Sequence, residues 1–294
     1  MNPGKAFYPY VISNEGAVDM IHLFPKQKNR MIIVLGVYLA LAAFLLIIGS
    51  GNPIATCLLA VFGFILVVGA EVSAATNHHS QLLNQLYNQL DVDGFLREYE
   101  PKLQIKLKNQ NTALMVRLHL SNAYCAQGRF DDAIALLSSV TVKEGKSHEE
   151  TLLARFAIVS NLCYCAEQKS DIETAQKYLD ELLSLRRELE SLQQAKPEKK
   201  RMVFSTELNE QCMVFLKTGK ADVEKLKELT RQNKTHQLQR ITSSLWVARA
   251  MLAENNRREA ESILEQIVKL SPGLYPGKEA AKLLAALPAR PEKG

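Results

Sequence analysis

The chain has 294 residues, 36 Lys and Arg against 31 Asp and Glu, a net charge of +5, 47% apolar residues and five cysteines. That length allows one or two domains, and 23% charged residues excludes wholesale disorder, a collagen-like fibre and a small disulfide scaffold. The average hides two populations, because 17 of the 18 residues from Met31 to Ile48 and 14 of the 17 from Ile54 to Ala70 are apolar. Without those segments the remainder is about 41% apolar, the composition of a folded soluble domain.

Residues 1–30 form a short N-terminal segment. Phe7, Tyr8, Tyr10 and Phe24 suit either the headgroup layer of a membrane or a loosely ordered tail. Residues 31–75 then read as a transmembrane helical hairpin. A helix rises about 1.5 Å per residue and the hydrocarbon layer is about 30 Å thick, so about 20 uncharged residues cross it. Residues 31–49 and 54–72 supply two such crossings, separated by Gly49-Ser50-Gly51-Asn52-Pro53, which stops a helix and turns the chain. The first apolar run starts too far from Met1 for a cleaved signal peptide, so the hairpin is expected to be a retained anchor. Lys26, Lys28 and Arg30 flank the first crossing, the turn has no Lys or Arg, and none follows the second crossing until Arg97. Positive charge stays in the cytoplasm, which places both termini there. Cys57 lies in the hairpin, while Cys125, Cys163, Cys165 and Cys212 lack a disulfide spacing and suit a reducing compartment.

From Asn77 the apolar residues recur three or four apart with breaks at Gly or Pro, which predicts an all-α domain. Connecting helices are expected over 77–110, at His79–Leu90 and Val92–Tyr99. A helical array fills 111–287, with helices at Thr112–Gln127, Phe130–Val140, His148–Lys169, Ile172–Gln194, Glu198–Thr218, Ala221–Gln232, Thr235–Asn255, Arg257–Leu270 and Pro276–Leu287, before a tail at 288–294. Ser147 and Glu150 have capping-box spacing, Asp171 can cap the next helix, and Ser271-Pro272-Gly273 ends a later one.

Within this array, Leu120 to Leu137 places an aromatic at Tyr124, a turn glycine at Gly128, an aromatic at Phe130 and a small residue at Ala133. This pattern resembles the tetratricopeptide repeat, in which a small residue lets two antiparallel helices approach while larger ones interlock. A second match runs through Met251, Asn255, Ala260, Leu264, Ile267 and Pro272. A weaker copy around Ala175 lacks the turn glycine, and another around Phe215 and Gly219 carries Glu224 where alanine belongs. Ala133, Ala175, Glu224 and Ala260 are 42, 49 and 36 residues apart, against a regular period of 34, so the expected solenoid is degenerate. Pro276–Leu287 would cover the last apolar face.

No catalytic constellation is present: HExxH, GxSxG, GxxxxGK[ST] and GxGxxG are absent, and the six histidines are dispersed along the chain. No enzyme, cofactor or metal site is expected. Cys163 and Cys165 are two apart on a helix and point in opposite directions, which favours packing over ligation. Asn233-Lys-Thr235 fits a glycosylation acceptor that a cytoplasmic location makes irrelevant. The run Lys196 to Arg201 suits a solvated turn or attraction to anionic lipid. Residues 77–294 carry a net charge of +4 without a basic, aromatic-rich stripe, so nucleic acid is not an expected partner.

The resemblance implies a concave groove that accepts a protein or peptide partner, and its groove positions fall on Asn122, Asn161, Tyr164, Asn209, Trp246 and Arg249. Asparagine side chains there would hold a peptide backbone and Arg249 would meet a carboxylate. Core packing is the competing expectation for Trp246. The sequence thus points to a membrane-anchored interaction scaffold. An assembly subunit of a larger membrane complex is the alternative, with Gly36, Ala40, Gly69 and Ser73 as small faces for helix contact, and a peptide-binding sensor is the third reading.

Overall fold

A computed structural model describes residues 21–47, 53–142, 147–192, 196–232 and 236–288. The readings made for 1–20, for the interhelical turn and for Asn233 to Thr235 lie outside these residues, as do the side chains of Lys26 and of 196–201. The described residues form helices joined by turns and short loops, with no strand among them. In chain order the helices are α1 (Pro25–Ile47), α2 (Pro53–Asn84), α3 (Val92–Tyr99), α4 (Gln110–Gln127), α5 (Phe130–Ser138), α6 (His148–Gln168), α7 (Ile172–Ser191), α8 (Lys196–Thr218), α9 (Val223–Gln232), α10 (Gln237–Ala253), α11 (Arg257–Leu270) and α12 (Tyr275–Ala285). A π turn at Gln85–Gln89 follows α2, and a 3-10 turn at Glu100–Gln104 follows α3.

Helices α1 and α2 pack together as a hairpin, and both are long and apolar enough to cross a membrane. Their side chains point outward: Ile33 is 66% exposed and Phe62 is 61% exposed, where a soluble protein would bury such residues. The helices come closest where the Tyr38 ring crosses Gly63, whose position has no room for a Cβ, and Tyr38 Oη donates to the Leu59 carbonyl. At the other end Arg30 Nε meets Glu71 Oε1 at 3.0 Å.

The sequence reading separates the second crossing from a helix beginning at His79. Instead α2 runs unbroken for 32 residues, about 48 Å. No glycine or proline lies between Gly69 and Gly94, so nothing interrupts it. Its far end changes character, because Ala75, Leu82, Leu83, Leu86 and Tyr87 are buried in the first core of the helical domain. Ile21, Leu23 and Phe24, just before α1, enter the same core. Lys102 Nζ donates to the Leu23 carbonyl at 2.9 Å and lies 4.3 Å from the centre of the Phe24 ring. Phe24 is therefore a core residue, not a headgroup anchor.

In the rest of the chain α4 packs with α5, α6 with α7, and α10 with α11, while α8 packs chiefly on α7 and α9 chiefly on α10, and α12 lies against α11. The turns after α4, α6, α8 and α10 each pass through one residue with a left-handed backbone, namely Gly128, Ser170, Gly219 and Asn255. At three of these turns the next amide reaches back to the helix, from Arg129 to Tyr124 O, Asp171 to Ala166 O and Asn256 to Met251 O, at 2.8 to 3.0 Å. Ala133, Ala175 and Ala260 are fully buried, letting paired helices approach, whereas Glu224 faces solvent and Val223 and Leu226 take the buried places in α9. Helix entries follow the capping signals: Ser147 Oγ accepts from Glu150 N and Asp171 Oδ1 accepts from Thr174 N. Pro272 is exposed in the turn between α11 and α12.

Candidate functional site

The concave positions are where a helical array would offer a ligand surface, and the structure places each of them. Asn122 on α4 donates through Nδ2 to Tyr87 Oη at 2.8 Å, so it binds the π turn that follows α2. Arg249 on α10 lies over the Trp246 ring at 4.8 Å. Its guanidinium reaches Gln168 Oε1 on α6 and Glu279 Oε2 on α12, each at 3.4 Å. The carboxylate that Arg249 meets thus belongs to its own chain. Trp246 is 3% exposed, with Phe215 edge-on at 6.0 Å, and is part of the core.

Asn161 turns back to its own helix, donating to the Ala157 carbonyl at 2.9 Å. Asn209 is buried, and its Nδ2 has no partner among the described residues. Tyr164 is half-buried beside Phe130, which packs edge-on against Tyr275 at 4.8 Å. Tyr275 also lies against Gly128. The last helix therefore returns to the first pair, and α12 packs on both α4 and α10. The π turn closes the same face, because α10 packs on it and Leu238 joins the core around Leu86 and Tyr87.

A polar cluster missed by the sequence reading lies under this closure. Three histidines far apart in sequence converge: His79 and His119 have ring centres 5.7 Å apart, and His236 lies tilted at 4.5 Å against Tyr87, whose Oη is 2.8 Å from His119 Nδ1. Tyr99 Oη is 3.3 Å from His79 Nδ1. His79 lies beyond the 54–72 crossing, and burial followed by the charge of Lys102 pushes its imidazole down to about 3. Burial holds His119 well below the usual histidine range, helped by His79 and His236. Both rings are neutral at physiological pH, as a dry core requires. The period of α2 could have suggested this, since His79, Leu82, Leu83 and Leu86 lie three or four apart on one face.

Among the described residues no three His, Cys, Asp or Glu side chains come together as a metal site. Cys163 and Cys165 point apart as expected. Cys163 Sγ faces Glu167 Oε1 and the Ala175 carbonyl, and Cys165 Sγ lies 3.3 Å from Cys125 Sγ. The contact with Cys165, then burial, holds the Cys125 thiol well above its ordinary range, so it is a protonated core thiol and not a nucleophile. Burial likewise holds the Glu167 carboxyl well above the usual carboxylate range.

Comparison with protein-family models, with curated proteins and with solved structures finds no match to this chain.

Proposed function

We propose that this chain is a membrane-anchored protein-interaction scaffold. In this reading the hairpin crosses the membrane twice, both termini lie in the cytoplasm, and the domain is a degenerate array of tetratricopeptide-like helix pairs that recruits a protein or peptide partner. The observation that carries it is the continuity of α2, which joins the outward-facing apolar hairpin to the domain core without a flexible linker. A rigid mount fixes which faces of the array point toward the membrane, and confinement to a surface raises the effective concentration of neighbouring targets. Support for the array comes from the four left-handed turns, which recur at the 42-, 49- and 36-residue intervals read from the sequence. Since Asn122 and Arg249 are engaged with the chain's own α2 end and α12, the partner surface lies on the outer helix faces. Lys26, Lys28 and Arg30 set the proposed orientation.

One observation favours the second reading, an assembly subunit of a larger membrane complex. A Cβ placed at Gly36 or Gly69 would meet nothing within 4 Å, so these small faces are open to other helices. Proximity labelling in native membranes separates the two readings. Replacing the apolar stretches 31–49 and 54–72 by an unrelated two-helix anchor, continuous with the end of α2, leaves the labelled neighbours unchanged for a scaffold and removes them for an assembly subunit. Labelling no richer than that of the anchor alone would contradict both.

A further inference from the structure

A cleft of about 650 Å³ opens between α9 and the start of α10, bordered by the π turn that ends the anchor helix. Lys227, Arg231 and Arg240 line it, together with His236, Thr230 and Asn88, and no carboxylate is among its lining residues. Three cations around one concavity form a positive basin, because low-dielectric walls strengthen the field at its centre. Two further features lie at the same place. The positive end of the 17-residue helix α10 begins at the cleft, with His236 as its cap. Thr230 Oγ1 is buried and has no hydrogen-bond partner among the described residues, although a hydroxyl in such a position ordinarily finds one. His236 Nδ1 accepts from the Gln239 amide at 3.1 Å.

The cations keep part of their capacity. Arg240 has no ion pair among the described residues. Arg231 pairs with Glu228 at 2.6 Å, and Lys227 with Glu224 and Glu259 at 3.0 and 3.1 Å. These are solvent-screened surface pairs that hold their partners weakly, and a multiply charged anion displaces such a carboxylate. Guanidinium groups donate in parallel to phosphate oxygens, and a volume of this size suits a small molecule more than a single ion.

We propose that this cleft is a binding site for a phosphorylated anion, held by Arg231, Arg240 and Lys227 with Thr230 as a hydroxyl donor. The ligand is a phosphate ester, supplied either as a free small molecule or as the headgroup of a lipid beside the anchor. The site does not depend on the scaffold reading.

The test uses the full chain in nanodiscs of phosphatidylcholine. One arm adds inorganic pyrophosphate and inositol hexakisphosphate and measures binding by calorimetry. The other adds phosphatidylinositol bisphosphate to the nanodisc and measures slowed hydrogen exchange in α9 and the first turns of α10. Saturable binding in the first arm, weakened about tenfold or more by the double substitution Arg231→Gln/Arg240→Gln, supports a free phosphorylated ligand. Protection in the second arm alone, lost in the same variant, supports a lipid headgroup. Both arginines are exposed, so the variant keeps its helicity, and Thr230→Val supplies a milder second variant that weakens binding without removing charge. No binding in either arm, or binding that neither variant changes, overturns the proposal.

Discussion

Asn122 donates to Tyr87 Oη at 2.8 Å, joining the first helix pair to the π turn that ends α2 across a sequence separation of 35 residues. The bond lies on the face where an array would hold a foreign peptide, and it belongs to a chain of contacts through His119 and His236. The helical domain is thereby fastened to the end of α2.

Removing that bond should loosen the mount. Asn122→Ala is expected to destabilise the domain by about 1 to 2 kcal/mol, the cost of leaving the buried Tyr87 hydroxyl short of a donor. Thermal unfolding of the full chain in detergent would read this as a lower midpoint. An unchanged midpoint would mean that Asn122 stands free in an open groove.

The buried histidines make stability depend on pH. His79 and His119 stay neutral when folded, with His79 near 3, whereas the unfolded chain takes up protons below about 6.5. Between about 6.5 and 3 the unfolded state therefore binds more protons, and stability falls as pH falls. His79 contributes a slope of about 1.4 kcal/mol per pH unit in that window, and His119 adds to it in the same direction. Chemical unfolding at pH 7.5, 6 and 5 in a Glu167→Gln background, which removes a buried carboxyl titrating in the opposite sense, should show a plateau and then a steep loss, and a flat profile would place these rings in solvent.

Glu167 acts in the opposite direction. Its carboxyl is 1% exposed, one oxygen has no partner among the described residues, and burial holds its pKa well above the unfolded value. The folded state keeps a proton that the unfolded state gives up, so stability falls as pH rises above about 4.5 toward the folded pKa. Glu167→Gln keeps the shape and removes the titration. It should raise stability at pH 7 by about 1 to 2 kcal/mol and give no gain near pH 4, as measured by the same unfolding experiment. A loss at pH 7 would show that the carboxylate form has a role in the fold.

Gly128 has φ of +83°, and a Cβ there would come 3.0 Å from the Tyr275 ring. Gly128→Ala should cost about 1 to 2 kcal/mol for the backbone alone, and more if Tyr275 cannot shift. Gly219 shares the left-handed backbone with open space around it, so Gly219→Ala should cost less. Equal unfolding midpoints for the two variants would contradict the packing of α12 on the first turn.

Much of the fold was legible because it rests on local rules. The expected bounds of Val92–Tyr99 and Arg257–Leu270 match α3 and α11, and Ser147 and Asp171 cap the helices they precede. Turn chemistry was legible where glycine supplied it, at Gly128 and Gly219. It was hidden at Ser170, a residue type that less often adopts a left-handed backbone, where tertiary packing sets the turn. The join at Ser73 to Asn77 was misread because a fall in hydropathy was taken as a boundary, although nothing there stops a helix. The intrachain partners of Asn122 and Arg249 were not legible for a different reason. Periodicity assigns Asn122 and Arg249 to a helix face but carries no information about what returns to cover it. Glu279 lies 30 residues beyond Arg249 and Tyr87 lies 35 before Asn122, so closure is a long-range property. The convergence of His79, His119 and His236 was invisible for the same reason.

The most direct test of a domain held rigidly on its anchor is a distance between them. Spin labels at the exposed positions Asn77 and Arg258, introduced as Asn77→Cys and Arg258→Cys in a Cys57→Ser background, report α2 against the far side of the array in nanodiscs. A single narrow distance distribution, broadened by Asn122→Ala, is the predicted result of double electron–electron resonance. A broad distribution in the protein with Asn122 intact would mean a tethered, freely turning domain and would contradict the account.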